Sequence, residues 1–392
     1  MKNKKMNKKA NNRRNFIKQS GLLGLASVVN LPAMAFSGQN NNKSLPYVNF
    51  TRDGLDFSPE DYAKKLVEIA DKKGIAIDSY SNYGVVEALE KKMASVLGKE
   101  AAVFMPTGTL ANHVAIRKLA GEKSRVLVQA ESHIYNDSGD CLGELSGLNV
   151  VPLNPGQTQF TLKNLKAQSN RVQHGRVKTS IGAISIESPV RRANNQVFDF
   201  EEMKKISAYA RENKIGMHLD GARLFNATAH TGISPKEYAT LFDTVYISLY
   251  KDFNAASGAI LAGSAEFCRD LYHTRRMFGG SLSNAWPFAA IALEYIDSFP
   301  VDYRNSLNKA VELFDSLKNY FKLEKIENGS NVMKLQALQG DLSTIQSKLI
   351  AKNIKLNNPT GDFNGFYIKI NPSLLRVDTK KLIQYFIESA GI

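Results

Sequence analysis

The sequence predicts an α/β protein, with a mainly parallel central sheet flanked by helices and a smaller α+β domain at the C-terminus. Two patterns carry this expectation. From about residue 100, short apolar runs alternate with amphipathic stretches, and such alternation closes as right-handed βαβ crossovers with helices on both faces of the sheet. From about Asp302 the rhythm changes to two long helical stretches around weaker strand candidates, including Phe366–Ile370.

The elements follow in order. Residues 1–18 hold eight basic residues and no acid, with paired arginines at Arg13 and Arg14. An uncharged stretch follows from Gly21 and ends in Ala33-Met34-Ala35, which is the layout of a twin-arginine export signal cleaved after Ala35. Asn30 and Pro32 interrupt its apolar run, which is too short to span a bilayer comfortably. Residues 1–35 are thus expected to be a signal peptide and 36–45 a flexible leader. The mature protein would be periplasmic, with no stable membrane anchor. Residues 46–300 would form a large domain and residues 301–392 the small one. The formal charge of +14 loses eight units with the signal. The remaining +6 makes no evident stripe for a phosphate backbone, so a nucleic-acid partner is not expected. Cys141 and Cys268 lack metal-ligand spacing and read as buried free thiols.

In the large domain, Ala101–Met105 reads as a strand and Gly108–Ala120 as a helix. The runs RVLVQ, VVPL, AISIE, IGMHLD, TVYISLY and GAILAGS follow as strands, and Phe200–Asn213 has helical periodicity. Ligands of open parallel sheets sit beyond the carboxyl ends of the strands, and polar residues gather there in this chain. Thr107–Thr109 follow one strand, Glu187 and Asp220 end two others, and Lys251 follows TVYISLY.

Each position has an ordinary structural reading beside a chemical one. A lysine partly buried past an apolar strand favours the neutral, nucleophilic amine, yet most lysines lie on the surface. An aspartate at a strand end can pair with a protonated ring nitrogen, or cap the helix behind it. Small residues between a strand and a helix present N–H groups to phosphate, or merely turn the chain. His133 can stack on a flat ring and move protons, or sit in a loop. Taken together, Gly108/Thr109, His133, Asp220 and Lys251 suit one cofactor, pyridoxal 5'-phosphate.

HLDGARLFNA (His218–Ala227) resembles the signature of the threonine aldolase/β-eliminating lyase family, whose members use pyridoxal phosphate on the aspartate-aminotransferase fold (fold type I). Asn82–Arg117 resembles that family's first helix and phosphate loop, SHIYND its stacking-histidine segment, and FDTVYISLYK its lysine strand. The resemblance implies that Lys251 takes the cofactor's aldehyde, Asp220 holds the pyridine nitrogen, and Gly108 with Thr109 binds phosphate. It implies that His133 stacks on the ring and that Arg223 lies near the ring oxygen and the substrate carboxylate. Tyr83 with Gly84 would reach a neighbouring subunit's site in a homodimer or homotetramer. The implied reaction cleaves a small β-hydroxy-α-amino acid, threonine or allo-threonine in type, to glycine and an aldehyde.

The chain also departs from the pattern. Ser138 stands where the family has a glutamate, and ESPVRR (Glu187–Arg192) replaces its ENT segment. DFNAASGA follows the lysine, and Arg52 replaces a serine that touches the substrate carboxylate. Arg191 would bind an acidic substrate tail or line the entrance. Lys369 and Arg376 are alternative carboxylate ligands in the C-terminal region. The alternative functions are β-elimination, racemisation or transamination with the same cofactor, and a non-catalytic binding descendant.

Overall fold

Strands form where the apolar runs were read. The computed structural model describes residues 47–391, so the expected signal peptide and leader lie outside the described residues. The described strands are β1 (Val48–Asn49), β2 (Ala101–Met105), β3 (Arg125–Gln129), β4 (Asn149–Leu153), β5 (Ile181–Glu187) and β6 (Gly216–Asp220). They continue with β7 (Thr244–Ser248), β8 (Ala259–Gly263), β9 (Phe321–Lys325), β10 (Val332–Ala337), β11 (Ile354–Lys355) and β12 (Gly365–Lys369). Seven of them make the central sheet, in the order β2-β8-β7-β6-β5-β3-β4. Only β8 runs against its neighbours within it. Strands β5, β7 and β8 are buried along their whole length, as expected of a sheet covered on both faces.

The connection from β2 to β3 decides where the site can form. These strands are far apart in the sheet, and helix Gly108–Ala120 bridges them by crossing β5, β6, β7 and β8 on one face. Its first turn therefore opens over the carboxyl ends of the central strands. Thr107 caps it, accepting from the Leu110 N–H at 3.2 Å. Gly108 is required by packing rather than by backbone freedom, because a Cβ there would lie 2.1 Å from the Tyr246 hydroxyl.

Beyond the sheet, helix Phe299–Ser316 leads into a second core with its own antiparallel sheet, β12-β10-β9. The N-terminal segment enters this core from the other end of the chain. β1 pairs in parallel with β11, Val48 opposite Ile354. Phe50 is buried in the same cluster as Phe314, Phe321 and Phe386, with its ring 6.4 Å from that of Phe386 in an edge-on arrangement. Asn371 Nδ2 donates to the carbonyls of Asn49 and Arg52 at 2.6 and 2.9 Å. The next turn, residues 51–56, is thereby delivered to the mouth of the central sheet. Helix Trp286–Tyr295 buries Ala289, Ala290, Ile291 and Ala292, of which Ala289 and Ala292 join the main core. Cys141 and Cys268 are free and buried. No helix among the described residues is long and apolar enough to cross a membrane.

Phe50 is the apolar anchor of the N-terminal segment, so Phe50→Ala should cost about 3–5 kcal/mol, the range for emptying a buried aromatic site. Urea titration followed by circular dichroism checks this, and a change under about 1 kcal/mol would show that β1 is not held by this contact.

Candidate active site

Strand-end residues and the N-terminal segment line one cavity of about 1260 Å³. Lys251, His133, Asp220, Gly108, Thr109, Arg223, Arg52, Arg191 and Lys369 all face it. Asp53, Asn112, Glu187 and Tyr250 do so as well. Sequence reasoning had singled out no role for Asp53 or Asn112. Tyr83 does not line the cavity and is 71% exposed.

Strand register explains the floor of the site. Glu187, Asp220 and Tyr246 are register partners on β5, β6 and β7, so their side chains form a row on the face covered by helix Gly108–Ala120. Asp220 is buried, and both of its oxygens accept hydrogen bonds. The Asn112 amide donates to Oδ2 at 2.6 Å, and the Ala222 N–H donates to Oδ1 at 3.2 Å. Burial, followed by the nearby Asp220, pushes the Glu187 carboxyl up to about 7. Its two oxygens accept from the His133 N–H at 2.6 Å and the Arg191 N–H at 2.9 Å. Glu187 thus ties the histidine loop to the loop after β5. The His133 imidazole is shifted down from its ordinary value, chiefly by burial, which favours a neutral ring. Its Nδ1 lies 3.1 Å from the hydroxyl of Ser138, the residue that departs from the family pattern.

Lys251 follows β7 on the turn after Tyr250. Its Nζ donates to the Tyr250 hydroxyl at 3.2 Å and lies 4.5 Å from that ring's centre. No ion pair to Lys251 is found among the described residues. Gly54 lies against this turn. A Cβ there would be 2.3 Å from the Lys251 carbonyl oxygen, and the neighbouring Leu55 N–H donates to Asn254 Oδ1 at 2.7 Å. The Lys251 amine, the buried Asp220 carboxylate, the N-terminus of helix Gly108–Ala120 and the His133 imidazole thus line one cavity.

A family model described as Beta-eliminating lyase matches residues 59–337. The chain belongs to this family. The low-specificity L-threonine aldolase of Candida albicans is 32% identical over 240 residues, covering 60% of this chain and 63% of that protein. The Saccharomyces cerevisiae protein of the same name is 30% identical over 279 residues, covering 68% and 70% of the two chains. The alignment with the Candida protein thus spans just under two thirds of its length. The crystal structure of a putative L-allo-threonine aldolase from Listeria monocytogenes superposes with a TM-score of 0.72 at 25% identity, covering 88% of this chain and 96% of that one. The fold is that of the type I pyridoxal-phosphate enzymes.

The residues of this chain fit pyridoxal phosphate. The capped helix N-terminus at Thr107–Thr109 offers N–H groups to a phosphate. Asp220 has a fixed acceptor for a pyridinium nitrogen, and Lys251 a primary amine for the aldehyde. Among the described residues no cluster of acids, histidines and cysteines is arranged to hold a metal.

A second polar group stands where the N-terminal segment meets both cores. Asp53 bridges Arg223 (3.1 Å to Nη2) and Lys369 (3.0 Å to Nζ), and also accepts from Asn331 Nδ2 at 3.0 Å. Burial alone would raise the Asp53 carboxyl. The Arg223 guanidinium and the Lys369 ammonium outweigh it and hold the group well below its ordinary value. One carboxylate against two cations leaves an excess positive charge at the cavity wall. The remaining arginines are engaged elsewhere. Arg191 and Arg192 both pair with Asp137, at 2.5 and 3.0 Å, and Arg52 lies 3.7 Å from Asp56. Of the two C-terminal candidates, Lys369 reaches the cavity. Arg376 instead donates to the Tyr47 carbonyl and lies over the Phe57 ring.

Tyr83 sits on a turn with positive φ at Tyr80, Ser81 and Tyr83. The buried Arg275 holds this turn, donating to the carbonyls of Tyr80 and Ser81 and to Asn82 Oδ1 at 3.1–3.2 Å.

Asp53→Asn removes the anion between the buried Arg223 and the partly buried Lys369, so it should destabilise the protein at pH 7 by about 3 kcal/mol. A depressed folded-state value means that this contribution is complete above the unfolded carboxylate value of about 4 and is lost as pH falls below it. The gap between wild type and variant should therefore narrow in urea titrations at pH 3. A gap that stays constant from pH 7 to pH 3 would contradict an ionised Asp53 bridge.

Proposed function

We propose that the protein is a pyridoxal-phosphate-dependent aldehyde-lyase that cleaves a β-hydroxy-α-amino acid, threonine or allo-threonine in type, to glycine and an aldehyde. The observation that carries this is the convergence of Lys251, Asp220, His133 and the Arg223–Asp53–Lys369 group on one cavity. The names of the Candida, Saccharomyces and Listeria relatives support the same reading.

The cofactor supplies an electron sink for the carbon whose bond breaks. The chain's own residues do the rest. Thr107, Gly108 and Thr109 would hold the phosphate at the helix N-terminus, Asp220 would hold the ring nitrogen, and the His133 imidazole would lie against the ring. Lys251 would supply the primary amine that holds the cofactor's aldehyde carbon. Arg223 and Lys369 would bind the substrate carboxylate and so fix the orientation of the substrate in the cavity. His133 would relay the proton of the β-hydroxyl. Because Asp137 occupies Arg191 and Arg192 and Asp56 accompanies Arg52, the site offers surplus charge for one carboxylate. A short neutral side chain suits it better than an acidic tail.

The working unit is a homodimer or a pair of homodimers, in which the exposed Tyr83, on its braced turn beside Gly84, reaches a neighbour's cavity. Export by the twin-arginine route to the periplasm rests on the sequence of residues 1–35 alone.

Residues 36–392 loaded with pyridoxal phosphate should release acetaldehyde from L-threonine or L-allo-threonine, measured through a coupled dehydrogenase. Lys251→Ala should reduce the rate by on the order of a thousandfold or more. A cofactor-loaded wild type that releases none would sink threonine cleavage, and a protein that takes up no cofactor would sink the cofactor assignment. Static light scattering should give at least twice the mass of one mature chain; a single-chain mass would exclude the shared site.

A further inference from the structure

From Asp220 a chain of buried polar side chains runs through Asn112, which also lines the cavity, to His218 and Thr244, which do not. Thr244 Oγ1 is 2.8 Å from His218 Nδ1, His218 Nε2 is 2.8 Å from Asn112 Oδ1, and Asn112 Nδ2 is 2.6 Å from Asp220 Oδ2. His218 and Thr244 are wholly buried and Asn112 is 1% exposed. The arrangement follows from the fold. Alternation along β6 turns Met217 and Leu219 into the main core, and His218 and Asp220 toward helix Gly108–Ala120. Thr244 is the register partner of His218 on β7, and Asn112 lies on the helix above.

The sense of these hydrogen bonds is dictated from one end. An amide that donates to Asp220 through Nδ2 turns its oxygen toward His218, so His218 must donate from Nε2. Its Nδ1 is then bare and accepts the Thr244 hydroxyl proton. Only one neutral tautomer of His218 satisfies all three contacts. The opposite tautomer would present a bare Nε2 to Asn112 and favour the flipped amide, whose oxygen would face a carboxylate. Burial pushes His218 down to about 3, so the ring stays neutral across the working range.

We infer that Asn112, His218 and Thr244 are positioning residues that lock Asp220 as a hydrogen-bond acceptor facing the cavity, with Thr244 selecting the His218 tautomer that keeps the Asn112 amide turned toward it. This rests on the reading of Asp220 as the partner of the cofactor's ring nitrogen. None of the three needs to touch the cofactor's reacting atoms; they act through Asp220. Without the lock, the carboxylate can rotate or lose its Asn112 donor, and the ring nitrogen loses a preorganised partner.

The test has two independent arms on the complete mature chain. In the first, nitrogen-15 spectra of the histidine rings are recorded before and after loading with pyridoxal phosphate. The expected result is one buried histidine protonated at Nε2 and bare at Nδ1, unchanged from pH 5 to 9 and lost in His218→Gln. An Nδ1-protonated or titrating His218 would overturn the proposal. In the second arm, Thr244→Val, Thr244→Ser and Asn112→Ala are compared by cofactor dissociation constant and by the pH at which the bound cofactor's absorbance changes. Loss of a hydrogen bond to a charged group should weaken cofactor binding about tenfold or more in Asn112→Ala. Thr244→Val should shift the absorbance transition, and Thr244→Ser should restore it. Variants that match wild type in both quantities would overturn the lock. If Thr244→Val fails to fold, the first arm decides on the wild-type chain. Failure of wild type to bind cofactor, with the tautomer as expected, would count against the reading of Asp220 and leave the side-chain lock in place.

Discussion

The Asp53 bridge is the interaction on which the site depends. Its partners come from three parts of the chain: Arg223 after β6, Lys369 at the end of β12, and Asn331 just before β10. A buried carboxylate between two cations is stable only when its geometry is complete. The N-terminal segment must therefore lie where both cores present their charges. Phe50 and the β1–β11 pairing bring it there from one side, and Gly54 fits against the Lys251 carbonyl from the other. The lysine turn, the arginine after β6 and the C-terminal lysine are thus placed relative to one another through a short stretch that belongs to none of them.

Around that bridge, charge is distributed with economy. Glu187 uses both oxygens to hold backbone N–H groups, Asp137 takes up two arginines, and Asp220 receives a donor on each oxygen. Buried polar groups left unpaired are costly. What remains open toward the cavity is a small set: the Lys251 amine, the free side of Asp220, the helix N-terminus and the surplus charge beside Asp53. These are the groups that a phosphorylated, cationic ring and an amino-acid carboxylate would need.

Much of this was legible in the sequence. Buried parallel strands are short apolar runs, and a polar residue that ends such a run lies at the sheet's carboxyl edge. That is why Thr109, His133, Asp220 and Lys251 could be placed together. Contacts set by register and by the path of a crossing helix could not be read in this way. Asn112 and His218 are 106 residues apart, and nothing in GTLANHVAIRKLA shows which of its polar residues faces β6. Asp53 adjoins Arg52 in the sequence, but its bridge to Lys369 is legible only where the two ends of the chain are known to meet. Arg191 was placed at the cavity, while its engagement with Asp137 depends on how the loop after β5 folds back.

The groups assigned to the cofactor, Thr107 to Lys251, all lie in one continuous middle portion of the chain, whereas much of the wall facing the substrate is contributed by residues 51–57 and 367–369 near its two ends. This separation gives the cavity two parts that are built from different stretches of the chain. Changes at the ends can retune what is bound without disturbing the chemistry beneath it. Asp220, Lys251 and His133 lie in the middle portion, whereas Arg52 and Lys369 lie in the two outer ones.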